Sequence, residues 1–119
     1  MHFKRTALAA LTLATLATVA AVPAHAEGRL RIAEQYGVTY LLLNIARDQK
    51  LIEKHGRQQG VDIKVEWTQI SGGPAANDAL LSGAVDVVGA GVGPLLTIWD
   101  RTAGRQNVRG VASLGNFPY

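Results

Sequence analysis

The chain has 119 residues, no cysteine, and 12 Lys and Arg against 9 Asp and Glu, for a formal charge of +3. That length permits one small domain at most, burying about 60–65% of its unfolded surface. Without cysteine the fold rests on its apolar core, and neither a disulfide framework nor a Cys/His zinc site is available to it.

The first residues read as a secretion signal. Lys4 and Arg5 form a charged start, Ala7 to Val22 is an Ala, Leu and Val run broken only by threonines, and Pro23 precedes the small-x-small triplet Ala24-His25-Ala26. Charge, apolar run and processing site stand in the order that export requires. A membrane anchor needs about 20 predominantly apolar residues, and this run is shorter. Residues 1–26 are therefore expected to be removed, leaving Glu27 as the mature N-terminus and a periplasmic domain over 27–119. Losing Lys4 and Arg5 leaves 10 Lys and Arg against 9 Asp and Glu, so the pI of about 9.6 overstates the basicity. No Lys/Arg cluster remains to support binding to nucleic acid or an anionic membrane.

Leu30 to Gln35 begins as an alternating strand and runs into a turn at Tyr36-Gly37. Thr39 is a candidate helix cap, with Val38 and Leu43 spaced as a hydrophobic staple, and a helix is predicted from Tyr40 to about His55. Leu41, Leu42, Ile45 and Ile52 share one side of it, Arg47, Lys50 and Lys54 fall mostly elsewhere, and Gly56 is placed to end it. Val61 to Trp67 alternates strictly and predicts a second strand. Ser71-Gly72-Gly73-Pro74 leads into a short helix ending at Ser82-Gly83, with Pro74 suited to its first turn. Val85 to Val88 is a buried-type strand. Gly89-Ala90-Gly91-Val92-Gly93-Pro94 opens a third helix, with Leu95, Ile98 and Trp99 on one face and an end near Gly104. Val108 to Leu114 is a fourth strand candidate. The order βαβαβαβ with short connections predicts an α/β fold, a doubly wound parallel sheet with right-handed crossovers.

In such sheets ligands lie beyond the carboxyl ends of the strands. Those ends are Gln35-Tyr36-Gly37, Thr68 to Pro74 and Gly89 to Pro94, each followed by a helix N-terminus whose free N–H groups and dipole favour an anion. Ser71 adds a hydroxyl, Gln35 an amide, and Tyr36 and Tyr40 aromatic walls. None of these positions is Lys or Arg, which suits a carrier that binds and releases.

Ile32-Ala33-Glu34-Gln35-Tyr36-Gly37, Ile70-Ser71-Gly72-Gly73-Pro74, the block Ala79-Leu80-Leu81-Ser82-Gly83-Ala84-Val85-Asp86-Val87-Val88 and the loop Gly91-Val92-Gly93-Pro94-Leu95 together resemble the N-terminal lobe of the nitrate/sulfonate/taurine-type solute-binding proteins of ABC transporters. The resemblance spans essentially all of residues 27–119. It implies the N-terminal lobe of a type II periplasmic binding fold, delivering a small solute to an inner-membrane permease without a cofactor. It also implies ligand contacts at Gln35, Ser71, Gly72, Gly73, Gly91, Val92 and Gly93. Family members are two to three times longer, so the chain is expected to be a truncated form lacking the second lobe.

An enzyme is not expected. Gly89-Ala90-Gly91-Val92-Gly93 approaches a dinucleotide fingerprint, but Pro94 stands where its last glycine belongs and no acidic residue follows about 20 positions on. Ser71 is not in a G-x-S-x-G context, and His55, the one histidine of the mature part, has no nucleophile placed for it. Asp62, Glu66 and Asp86 read as structural or solvated. A regulator's effector domain would carry a DNA-binding helix pair where this chain has its signal.

Overall fold

The computed structural model describes residues 26–115. The expected signal, residues 1–26, lies outside it apart from Ala26, and so do residues 116–119. Three parallel strands form an open sheet: β1 (Ala26–Glu34), β2 (Val61–Gln69) and β3 (Val87–Val88), in the order β2-β1-β3. Between β1 and β2 come a 3-10 turn at Val38–Tyr40, α1 (Leu41–Asp48) and α2 (Leu51–Gln58). Helix α3 (Gly73–Leu81) joins β2 to β3, and α4 (Val92–Thr102) follows β3. The chain is thus an α/β protein with a parallel sheet.

β2 alternates as its sequence predicts, and the ladder extends β1 backward: Ala26 pairs with Val61, four residues before the expected start at Leu30. The helix expected from Tyr40 to His55 is broken. Lys50 adopts the left-handed conformation (φ 51°, ψ 44°), which costs a non-glycine residue roughly 1–2 kcal/mol. The break lets α2 change course and seat on β2. Gly56, expected as the helix stop, lies inside α2 and is buried, where a Cβ would stand 3.0 Å from both Ile63 Cδ1 and the Val61 carbonyl. Its missing side chain lets helix and strand touch. Thr39 makes no cap; it lies within the 3-10 turn, and Val38 is 76% exposed, so the staple with Leu43 is not formed.

α3 is close to expectation, with Pro74 in its first turn and Gly83 at φ 73° just past its end. The expected strand Val85–Val88 shrinks to Val87–Val88, because the preceding residues bond elsewhere. The Val85 N–H reaches back to Ala79 O, while Asp86 exchanges bonds with the backbone of Arg31, its N–H donating to Arg31 O and its carboxylate accepting the Arg31 N–H, both at 2.8 Å. The Arg31 guanidinium also forks onto Asp86 (Nε 3.0 Å, Nη2 2.7 Å) and donates to Gly83 O.

The fourth strand does not form. Residues 107–115 are irregular and Val111 is 84% exposed. A two-residue β3 is too short a template, and the segment is tied to α4 instead: the Val108 N–H donates to Thr102 Oγ1, and Gly110 lies against Leu95. Ile32, Ala33, Ala76, Val85 and Ile98 are the buried apolar residues. Trp99, expected beside Ile98 on the packed face, is 56% exposed.

Two stability measurements follow from this packing. Gly56→Val is expected to cost about 1–3 kcal/mol in urea denaturation, as overpacking does. Asp86 is held by the Arg31 fork at a pKa of about 2, below its ordinary 3.8. A depressed carboxyl stabilises the fold above its unfolded value and loses that contribution as pH falls through the folded value. The thermal midpoint should therefore drop between about pH 4 and pH 2 more steeply in the native chain than in Asp86→Asn.

Candidate functional site

The order β2-β1-β3 sends the chain to one side after β1 and to the other after β2. The connections leaving β1 and β3 diverge at their carboxyl ends, the place where open parallel sheets hold their ligands. Gln35 stands at that point. Its Nε2 donates to Gly89 O at 3.0 Å, and its Oε1 accepts the Gly72 N–H at 3.1 Å. The Gly89 N–H in turn donates to Ala33 O, and the Ile70 N–H to Glu34 O. One side chain just past the central strand therefore holds together the exits of all three strands.

The two glycine-rich loops converge. A Cβ on Gly73 would overlap Pro94 Cγ, so the first turns of α3 and α4 are in contact. Asn77, buried in α3, donates from Nδ2 to Pro94 O at 3.1 Å and fixes the pair. The first intrahelical bonds run from Ala76 N–H to Gly72 O and from Leu95 N–H to Gly91 O. The N–H groups of Gly73, Ala75, Val92 and Gly93 therefore have no acceptor within their helices. Pro74 and Pro94 contribute none, so proline at these positions leaves no further donor unused. A Cβ on Gly72 or Gly93 would meet nothing within 4 Å, and the backbone there is open to approach. Gly72 has φ 89° and ψ 143°, a conformation that a side chain would strain.

Tyr40 walls this region. Its ring lies against Gly89, where a Cβ would come within 3.0 Å of Cε1. Behind it runs a chain that periodicity alone did not reveal. Glu34, the last residue of β1, is 1% exposed and pairs with the Arg47 guanidinium. Arg47 donates to Asn44 Oδ1 and lies over the Trp67 ring, and Asn44 Nδ2 donates to Tyr40 O. Tyr40, Asn44 and Arg47 are spaced i, i+4, i+7, a signal that would have placed Arg47 toward the sheet.

Gln35, Tyr40, Gly72, Gly73 and the α4 start at Gly91 are thus joined by contacts at one edge. Tyr36 is 69% and Val92 64% exposed, Ser71 is exposed, and no side-chain bond draws any of them into the cluster. His55 lies apart on α2, exposed, with Nδ1 3.1 Å from Gln58 Oε1. Compared with models of known protein families, with curated proteins and with solved structures, the chain matches none.

Gln35→Ala removes both bonds of the bracket and should lower stability by about 1–2 kcal/mol, taking each bond at its ordinary net worth. Hydrogen exchange at the Gly72 amide is expected to accelerate in the variant, while exchange at α2 amides changes only with global stability.

Proposed function

We propose that the chain is the N-terminal lobe of an extracytoplasmic solute-binding protein of an ABC importer, capturing a small oxyanion or organic solute of sulfonate, nitrate or taurine type for an inner-membrane permease. The observation that carries this reading is the Gln35 bracket, which gathers two open glycine-rich helix starts beside the point where the strand order reverses. Right-handed crossovers on a β2-β1-β3 sheet would put α1 and α2 on one face and α3 on the other. That is the doubly wound arrangement of the type II binding fold. The unpaired N–H groups at Gly73, Val92 and Gly93 would receive the solute's oxygens, with helix dipoles adding to their pull. Gln35 retains a second amide N–H, since a primary amide carries two donors and one is bound to Gly89 O. Ser71 would supply a hydroxyl, Tyr36 and Tyr40 the side walls, and Gly91 the close backbone approach. No cofactor and no chemical step enter this scheme.

Titration of the isotopically labelled chain with methanesulfonate, nitrate and taurine tests it. Amide shifts centred on Gly72, Gly73, Val92 and Gly93 are expected, with a dissociation constant of about 1 mM or tighter. Ser71→Ala should weaken binding and Gly72→Val should weaken it more, neither unfolding the sheet. Absence of shifts at these amides with every solute, or binding of NAD in their place, overturns the reading.

A further inference from the structure

The outer edge of β2 is a row of unused backbone groups. β2 ends the sheet and pairs only with β1 among the described residues. The Ile70 N–H points to Glu34 O, and because these directions alternate along a strand, the even-numbered residues of β2 face β1. Val61, Ile63, Val65, Trp67 and Gln69 therefore present their N–H and C=O groups outward. The strand runs 9 residues with neither proline nor glycine, and a long regular edge is a template for another chain. Beside it lies an open groove of about 770 Å³, lined by Ile63, Val65 and Trp67 and by the cationic residues Arg47, Lys50 and Arg57. Those three β2 residues are only half-buried.

We propose that this edge joins two copies of the chain, β2 against β2, antiparallel about a two-fold axis at Val65. Charge and register select a second copy as the partner. Centred on Val65, Lys64 of one copy opposes Glu66 of the other, and symmetry repeats the pair. Ile63 then opposes Trp67, Val61 opposes Gln69, and the whole strand is matched. A two-fold at Lys64 would set Lys64 against itself and Asp62 against Glu66, while one at Glu66 would set the two Glu66 together. Opposite charges and an aromatic facing a β-branched residue favour pairing across a sheet, and like charges oppose it. Val65 is also an outward-facing residue, as a hydrogen-bonded pair on the axis requires. Lys64 can turn to a partner: its side chain is 81% exposed and stands 3.9 Å from Oε1 of its own Glu66, whose other oxygen takes Arg29, so Oε1 is the atom left for the partner's Lys64. The groove's cations work the other way, since Arg47, Lys50 and Arg57 of both copies approach, offset on each side by Glu53 and Asp62 in the groove and by Glu34, which pairs with Arg47. The pairing rests on the backbone bonds and the strand's own side-chain pairs, which also cover Ile63, Val65 and Trp67.

Because the chain has no cysteine, a single introduced one can form a disulfide only with its copy. Directly opposed, hydrogen-bonded strand residues have Cα atoms about 5.5 Å apart, within disulfide reach. Under mild oxidation Val65→Cys is expected to give a covalent dimer, while Val61→Cys, opposite Gln69, stays single. In sedimentation equilibrium the native chain should show the mass of two copies. Lys64→Glu should weaken association tenfold or more, and Lys64→Glu combined with Glu66→Lys should restore it, with unchanged circular dichroism. A native chain that remains monomeric at millimolar concentration, equal cross-linking of the two cysteine variants, or a charge swap that restores nothing overturns the proposal.

Discussion

The amide of Gln35 is the point on which the carboxyl edge of the sheet depends. Gly72 N–H and Gly89 O lie beyond the strand ladder; Gly89 O is partly buried, where lacking a partner costs free energy, while the bond to Gly72 N–H is exposed. Gln35 serves both, donating to one and accepting from the other. Its identity is demanding. Asparagine is a methylene shorter, and an ionised glutamate accepts only, so it would turn a negative oxygen toward the Gly89 carbonyl. Because Gln35 directly follows the central strand β1, the one flanked on both sides, it is placed to reach both neighbours.

Close approach does the rest, at positions where a side chain is missing. Gly56 lets α2 settle on Ile63, Gly73 lets the first turn of α3 meet Pro94, and Gly89 makes room for Tyr40 and Leu43. None of these three has a positive φ, so their use is spatial rather than conformational. Gly72 differs. It has open space around it and a backbone that only glycine adopts easily. A glycine-rich loop here therefore has two separable functions: one residue turns the chain, and its neighbour admits a proline.

Much of this architecture was legible in the residues. Period-two alternation located β2, and Pro74 with Gly83 bracketed α3 to within a residue. The strand-end loops that periodicity placed together are the ones that touch. What failed did so where a local signal met a tertiary demand. Gly56 has the composition of a helix stop, yet it was needed inside α2 because β2 lies beneath it. The expected helix has Arg47 mostly away from its apolar side, yet Glu34, buried at the end of β1, supplies it a partner. Val108 to Leu114 has the composition of a strand, but a strand requires a neighbour, and β3 offers two residues. Pairing partners are non-local, and no window of sequence contains them.

The distribution of charge gives the carboxyl edge of the sheet its character. Arg29 pairs with Glu66, Arg31 with Asp86 and Arg47 with Glu34, so these three cations of the sheet region are already matched by carboxylates. The glycine loops themselves carry no charged side chain between Ile70 and Asn77 or between Gly89 and Trp99. The field at their N–H groups is therefore set by helix dipoles and amides, which fall off within the first turn and attract an anion without a fixed counter-charge. A lysine-lined pocket would hold the same anion through a full charge whose long-range part salt screens. A dipole-lined one recognises geometry at short range and gives up its occupant more readily. On the proposed reading, that difference separates a surface suited to capture and release from one suited to retention, and it follows from where the arginines already have partners.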